Sequence, residues 1–247
     1  MLHILRLLLL VAAVSACTPV VYGPNFQALP DLEEAGDFSI GISHGSGAVV
    51  EFMDVSAAYA FAPRMAVMLN ASGAWSQYSG QQAIKGFGYY VEPAVGLFLT
   101  DIPGMRMSLY GAYGTGHQSH LMRSGSNSPI LWNRFFLYPA VEMRMFNFSL
   151  AFSGRFGYLI FDRGINALAQ AYNTTDSWTV IYPNRRISFT ESAVTLSKYW
   201  QQFKFSMQFV LPSYENRRYP FDTFYLGVGA SFVFSPRSSR GYTYFLD

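Results

Sequence analysis

The sequence predicts an all-β protein, a transmembrane antiparallel up-and-down β-barrel of about 10 strands. The chain is 51% hydrophobic and 17% aromatic but only 13% charged, which favours a barrel with an apolar outer face and a polar interior. Segments along the chain alternate apolar with polar residues, as strands with two different faces do. The connectors between these segments are alternately short and long. We expect the barrel to occupy residues 37–234.

The first element is a secretory signal peptide over residues 1–16. Arg6 supplies the positive charge, and an apolar run over 7–16 ends in small residues. A basic start, a short apolar run and a small-residue cleavage site are the marks of such a signal. The run is shorter than the roughly 20 apolar residues that a transmembrane helix needs. We therefore expect an exported protein.

Cys17 marks the start of the second element. It is the only cysteine in the chain and directly follows Val14-Ser15-Ala16. This arrangement resembles the bacterial lipobox, in which the cysteine is lipidated and becomes the mature N-terminus. The resemblance implies a lipid on Cys17, and the alternative is an ordinary signal peptide followed by an incidental cysteine. A single cysteine also excludes an intramolecular disulfide.

Residues 17–36 are predicted to form a lipidated tether between the anchor and the barrel. The stretch holds Pro19, Pro24 and Pro30 and has little hydrophobic periodicity, which indicates an irregular strap. We expect this tether to lie in the periplasm, with the N-terminal lipid in the periplasmic leaflet of the outer membrane.

The strands follow in order, each recognised by the alternation of apolar and polar residues. The predicted segments are 38–43, 53–61, 65–75, 90–99, 105–113, 134–144, 148–158, 191–196, 203–211 and 224–234. Most are longer than the 5–6 residues usual for strands of soluble proteins. Their apolar, aromatic-rich faces therefore favour contact with lipid.

The connectors predict how the barrel is oriented. After a first tight link at 44–47, short and longer connectors alternate along the chain. The short ones are 62–64, 100–104, 146–147 and 198–201, and the longer ones are 76–85, 117–129, 162–186 and 213–220. Outer-membrane barrels place short turns in the periplasm and long loops outside. We thus expect the chain to enter from the periplasm and to end there in a C-terminal tail, 235–247.

Charged residues of both signs lie on the predicted inward faces. They are Asp54, Glu92, Glu142 and Glu191, against Arg106, Arg134, Arg144, Arg155 and Lys204. We expect a lumen charge cluster formed by Asp54, Glu92, Glu142, Arg155 and Glu191. In that cluster Arg155 should bridge Glu191 and at least one of Asp54 and Glu92. Because buried charges are costly unless paired, this near-balance favours a filled lumen.

Several function classes remain open from these residues. A filled lumen favours a structural or accessory subunit of a larger outer-membrane assembly, in contact with outer-membrane lipids. A narrow channel for small or apolar solutes is the alternative. His117-Gln118-Ser119 resembles, over three residues, the site of lipid-modifying outer-membrane hydrolases, but no acid that could orient the histidine is found nearby. We expect no enzymatic activity, no metal and no cofactor, and the net charge of +2 is too small to indicate nucleic acid.

Short motifs across the mature chain resemble a known family. They are Val20-Val21-Tyr22-Gly23-Pro24-Asn25, Glu34-Ala35-Gly36-Asp37-Phe38, Ala57-Ala58-Tyr59-Ala60, Tyr90-Val91-Glu92-Pro93-Ala94 and Tyr110-Gly111-Ala112-Tyr113-Gly114-Thr115-Gly116. Together with the lipobox cysteine they resemble the outer-membrane β-barrel lipoproteins of Bacteroidota-type bacteria. The resemblance implies a small barrel and no established chemistry, and it offers no catalytic residues to carry over.

Overall fold

The computed structural model describes residues 22–47, 50–78, 84–121, 127–163, 186–215 and 223–235. Over these ranges the chain forms a closed antiparallel β-barrel in which each strand pairs with its neighbours in sequence and β1 closes on β10. This confirms the predicted fold class. The described part holds no helix long and apolar enough to cross a bilayer. The signal peptide, Cys17 and the tail beyond Ser235 lie outside these ranges.

Ten strands make up the wall. They are β1 (Phe38–Gly47), β2 (Val50–Ala62), β3 (Met65–Tyr78), β4 (Ile84–Leu99), β5 (Met105–Leu121), β6 (Asn127–Met145), β7 (Phe148–Arg163), β8 (Arg186–Trp200), β9 (Phe203–Tyr214) and β10 (Tyr225–Phe234). The barrel closes where β1 lies between its two partners, with Phe38 opposite both Phe234 and Tyr59.

The two faces of the wall differ because side chains alternate along each strand. Large apolar side chains on the outside are exposed on all ten strands. Examples are Ile40, Val55, Leu69, Val95, Leu109, Leu137, Phe152, Leu196, Phe205 and Val228. The side chains between them point inward and combine charged, polar and small residues with buried rings such as Tyr90, Trp132 and Phe136. The alternation in the sequence thus becomes an apolar belt around a lumen that holds both charges and rings.

Tight turns close one end of the barrel, which we call the turn end. At the links 63–64, 146–147 and 201–202, Arg64, Phe146 and Gln201 adopt left-handed φ angles of 67°, 54° and 54°. Positive φ at the first position of a two-residue link, as at Phe146 and Gln201, matches the twist of the flanking strands. At 63–64 the positive φ is at the second position, and the β2–β3 register shifts between Ala60 and Ala62. The fourth link at this end, 100–104, is longer and reaches a φ of 73° at Gly104.

The opposite end, which we call the loop end, has an uneven rim. The strands β4, β5, β6 and β7 contain 16, 17, 19 and 16 residues, whereas β9, β10 and β1 contain 12, 10 and 10. Several strands run beyond their predicted limits at this end. The strand β5, for example, continues through His117 to Leu121. The wall therefore has a tall side and a low side.

The prediction of a periplasmic tether is wrong for the part of it that the structure describes. Residues 22–33, here called the lumenal segment, run through the interior of the barrel instead. Tyr22, Asn25, Gln27 and Leu32 are each at most 3% exposed. The reason is chemical, since the segment supplies polar groups that complement charges on the inner wall.

Candidate functional site

The lumenal segment is held at the turn end by the backbone that follows it. The Gly36 N–H donates to the Ala60 carbonyl at 2.7 Å, and the Ala60 N–H donates to the Asp37 carbonyl at 2.9 Å. The Asp37 carboxylate accepts from the backbone N–H groups of Glu33 and Glu34 at 2.7 and 2.9 Å. These bonds turn the chain from the lumen into β1.

A first group of charges, the turn-end cluster, surrounds the lower part of the segment. It comprises Asp31, Glu33, Arg106, Glu142, Arg144 and Lys204. Arg106 donates to both Asp31 and Glu142, so it links the segment to the wall. Lys204 and Tyr199 each donate to Glu142 at 2.8 Å. Arg144 donates to Asp31 and, at 2.7 Å, to Glu33.

The segment corrects an imbalance of charge on the wall at this level. The inward-facing charges here are three cations and one carboxylate, namely Arg106, Arg144, Lys204 and Glu142. Asp31 and Glu33 bring the two missing negative charges. Since unpaired buried charges are strongly unfavourable, the segment and the wall are electrostatic complements.

A second group, the central cluster, lies at mid-height. It comprises Tyr22, Asn25, Asp54, Glu92, Arg134, Arg155 and Glu191. Arg134 is fully buried and donates to Glu92, to the Tyr22 hydroxyl and, at 3.0 Å, to the Asn25 side-chain oxygen. The Tyr22 hydroxyl in turn donates to Glu191 at 2.8 Å.

Arg155 contacts Glu191, as expected, but not the second carboxylate expected for it. Its guanidinium donates to Glu191 at 3.2 Å, across the β7–β8 pair, and to the Phe26 carbonyl at 3.1 Å. The expected direct bridge from Arg155 to Asp54 or Glu92 is not formed: an amide lies between Arg155 and Asp54, and Glu92 pairs with Arg134 instead. Asn25 accepts from Arg155 through its oxygen and donates to Asp54 through its nitrogen, at 3.1 Å.

The expected single cluster is also divided. Glu92 pairs with Arg134 rather than Arg155, and Glu142 belongs to the turn-end cluster. Arg106, Arg134, Arg144 and Lys204 complete the pairs. The inward-facing charges of the wall therefore form two separate networks, and the lumenal segment takes part in both.

Gln27 connects the segment to the wall between the two clusters. Its backbone N–H donates to the Gln208 side chain at 2.7 Å, and the Gln208 side chain donates back to the Gln27 carbonyl at 3.0 Å. Ser153 donates to its side-chain oxygen at 2.8 Å. This pairing satisfies a backbone that has no strand partner, as a buried backbone requires.

Aromatic rings pack around the upper end of the segment. The Tyr22 ring meets Trp132 edge to face at 5.3 Å, Tyr214 at 6.1 Å and Phe189 at 6.4 Å. The guanidinium of Arg134 lies 5.3 Å from the Tyr90 ring. Rings and guanidinium together narrow this level of the lumen to a small cavity beside Tyr22 and Trp132.

Little space remains around the segment. Two cavities beside it have volumes of about 30 Å³, next to Phe26 and Ser39, and about 20 Å³, next to Tyr22 and Trp132. By this measure about 10–15 Å³ is enough for one water, so each cavity has room for one or two. The described lumen is therefore filled by the chain itself.

The residues that the sequence reasoning missed are those of the lumenal segment. Counting all inward-facing charges together gave a near-balance and concealed the excess of cations at the turn end. Sorting those charges by height along the strands would have exposed the excess. The carboxylates of Asp31 and Glu33, just before β1, would then have been the nearest source of compensation.

The other candidate site, at His117, lies in the outer part of the wall. The imidazole packs against the Tyr89 ring with a centroid distance of 5.5 Å, and Tyr89 is itself exposed. Within the described ranges, no group of three or more histidine, cysteine or acidic residues could hold a metal ion.

Comparison with known proteins gives structural likeness alone. No known protein family matches the sequence, and no curated protein matches it. The chain is similar to the translocator domain of the autotransporter NalP from Neisseria meningitidis, at 11% identity over 82% of this chain and 90% of that one, with a TM-score of 0.49.

Two further similar structures are named for different activities, one as a channel and one as a protease. An outer membrane channel from Pseudomonas putida is 11% identical over 85% of this chain and 100% of that one, with a TM-score of 0.38. The outer membrane protease OmpT from Escherichia coli is 9% identical over 80% of this chain and 95% of that one, with a TM-score of 0.39. At such values these likenesses carry no inference about function.

Proposed function

We propose that this chain is a non-enzymatic outer-membrane β-barrel lipoprotein that acts as a structural or accessory subunit of an outer-membrane assembly. The observation that carries the proposal is the lumen, which is filled by a segment of the same chain bonded to charges on the wall. A barrel closed in this way presents its outer wall and its two ends as the surfaces available for function.

The outer wall supports a membrane location. Large apolar side chains are exposed on every strand, and a belt of that extent exceeds the apolar patches of a few hundred Å² usual on soluble monomers. In a closed barrel every strand is paired on both sides, which is what a bilayer demands of a spanning β-structure.

The links between strands support an orientation. The described strands are joined at the turn end by 63–64, 100–104, 146–147 and 201–202, and at the loop end by 48–49, 79–83, 122–126, 164–185 and 215–224, which include the two longest links. Bacterial outer-membrane barrels carry short turns on the periplasmic side and longer loops outside. We therefore assign the turn end to the periplasm and the loop end to the cell surface.

Conductance tests the closed lumen. Because the lumenal segment occupies the interior and the cavities found beside it hold only a few waters, we expect the full-length chain, refolded and inserted in planar lipid bilayers, to show no steady ionic current. A steady single-channel current from the unmodified protein would contradict the filled lumen and would favour the narrow channel instead.

Native migration tests the accessory role. Outer membranes solubilised in mild detergent and resolved by native electrophoresis should contain the chain in a species larger than the isolated barrel. The purified, refolded barrel in the same detergent is the control for size. If the chain from membranes migrates with that control under cross-linking conditions as well, the accessory role is wrong.

A further inference from the structure

The direction of the lumenal segment can be determined from its contacts with β6. Glu33 contacts Arg144, the Ala28 carbonyl accepts from Tyr138, Asn25 contacts Arg134, and Tyr22 packs on Trp132. As residue numbers fall along the segment, they also fall along β6. Since β6 runs from Asn127 at the loop end to Met145 at the turn end, the segment has its N-terminal end towards the loops.

Tyr22 lies at the level of the low rim. Its ring contacts Tyr214, the last residue of β9, and Phe189, near the start of β8. It also shares the walls of a small cavity with Val50, the first residue of β2. Tyr22, the first described residue, therefore lies near the mouth of the barrel.

The distance from Tyr22 to the turn end is too great for Cys17 to cover. From the level of Trp132 to Met145, β6 advances by 13 residues, about 43 Å of strand. At the usual barrel tilt this is a height of about 30–35 Å. Cys17 precedes Tyr22 by 5 residues, which span at most about 18 Å when fully extended.

The lumen also leaves no route back. Below Tyr22 the interior is occupied by the segment itself and by the central and turn-end clusters. The five residues from Cys17 to Tyr22 are therefore too few to bring Cys17 to the turn end. An anchor in the leaflet at the turn end, as the sequence suggested, is incompatible with this arrangement.

We infer that the N-terminal end of the mature chain is threaded through the barrel to the loop end, and that the lipid on Cys17 inserts in the leaflet on that side. The low rim formed by β9, β10 and β1 provides the shortest path from the lumen to lipid. Since the inference rests on the orientation in the proposed function, this leaflet is the outer one, and the chain is a surface-anchored lipoprotein held by its own barrel.

An epitope inserted between Thr18 and Pro19 tests the inference. The tag directly follows the lipidation site and leaves all the described contacts of the lumenal segment in place. On intact cells we expect an antibody to give the same signal before and after the outer membrane is permeabilised. The same epitope inserted after Ile102, in an exposed link at the turn end, should be detected only after permeabilisation.

A third insertion near Asn173, in the longest connector, separates the possible failures. If the Asn173 tag is detected on intact cells and the Thr18 tag only after permeabilisation, the threading is wrong while the proposed orientation stands. If the Ile102 tag is detected on intact cells and the Asn173 tag is not, the orientation is wrong, and the outer leaflet is wrong with it. Immunoblotting confirms that each tagged chain is present.

Discussion

At the scale of single residues, the Arg155–Glu191 pair is the most direct measure of how the lumen is stabilised. Both side chains are fully buried and 3.2 Å apart. Removing one partner of a buried pair costs about 3–5 kcal/mol because the other charge is left without compensation. We expect Arg155→Ala to lower the free energy of unfolding, measured in urea with the barrel in lipid vesicles, by that amount.

The double variant Arg155→Ala with Glu191→Ala should recover part of this loss. Coupled neighbours commonly show interaction energies of about 0.5–3 kcal/mol. The exposed pair Arg64–Asp101, 2.7 Å apart with side chains 60% and 62% exposed, is the matched control, and its coupling should stay below about 1 kcal/mol. Strict additivity at Arg155 and Glu191 would show that the two charges are not coupled.

Cys17 gives a second prediction at this scale. If it carries the lipid, Cys17→Ser should abolish incorporation of a palmitate analogue and leave the signal peptide poorly processed, because the lipobox has no other cysteine. Metabolic labelling followed by gel fluorescence measures the first effect, and the apparent mass of the chain measures the second. Equal labelling of the variant and the natural chain would exclude this anchor.

At the scale of elements, the contribution of the lumenal segment to stability can be tested by removing one negative charge, either inside the segment at Asp31 or just after it at Glu34. Asp31 is buried between Arg106 and Arg144, so Asp31→Asn should lower the free energy of unfolding by about 1.5–3 kcal/mol, as for hydrogen bonds to charged groups. Glu34→Gln makes the same change of charge at an exposed residue, and it should change the free energy of unfolding by less than about 0.5 kcal/mol. Urea unfolding in lipid vesicles compares the two variants. Equal losses of unfolding free energy would mean that the lumenal segment does not stabilise the barrel.

The strands were predictable from the sequence because each has one face towards lipid and one towards the lumen. This contrast produces the alternation at Met65, Val67 and Leu69, for example. It fades towards the loop end, where the outward face becomes polar: Tyr113 donates to Asn133, which donates to Asp162. The strands β5, β6 and β7 therefore extend beyond the limits that alternation could set.

The lumenal segment could not be recognised in the same way. It has no regular secondary structure, so its buried residues follow no period. Its burial depends on charges that lie far away in the sequence, such as Arg134, 109 residues from Asn25. Only the pairing of the strands brings these charges to one place, which is why the tether was predicted outside the barrel.

At the scale of the whole molecule, the structure is a wall of uneven height built around a fixed axial segment. The taller side, β4 to β7, includes the strands that hold Glu92, Arg134 and Arg155. The lower side includes β1 and β10, where the two ends of the sheet meet. Charge pairing in the lumen nevertheless reaches both neighbours of the seam, since Asp54 lies on β2 and Lys204 on β9.

The position of the lumenal segment ahead of β1 has a consequence for biogenesis. The segment lies inside the wall and continues directly into the first strand, so it is enclosed as soon as the two ends of the sheet pair. We therefore expect the segment to take its place before β1 pairs with β10, because the turn-end cations Arg106 and Arg144 are fully compensated only when Asp31 and Glu33 are present. Insertion machinery that released the sheet before this segment had settled would trap an empty, charge-lined pore.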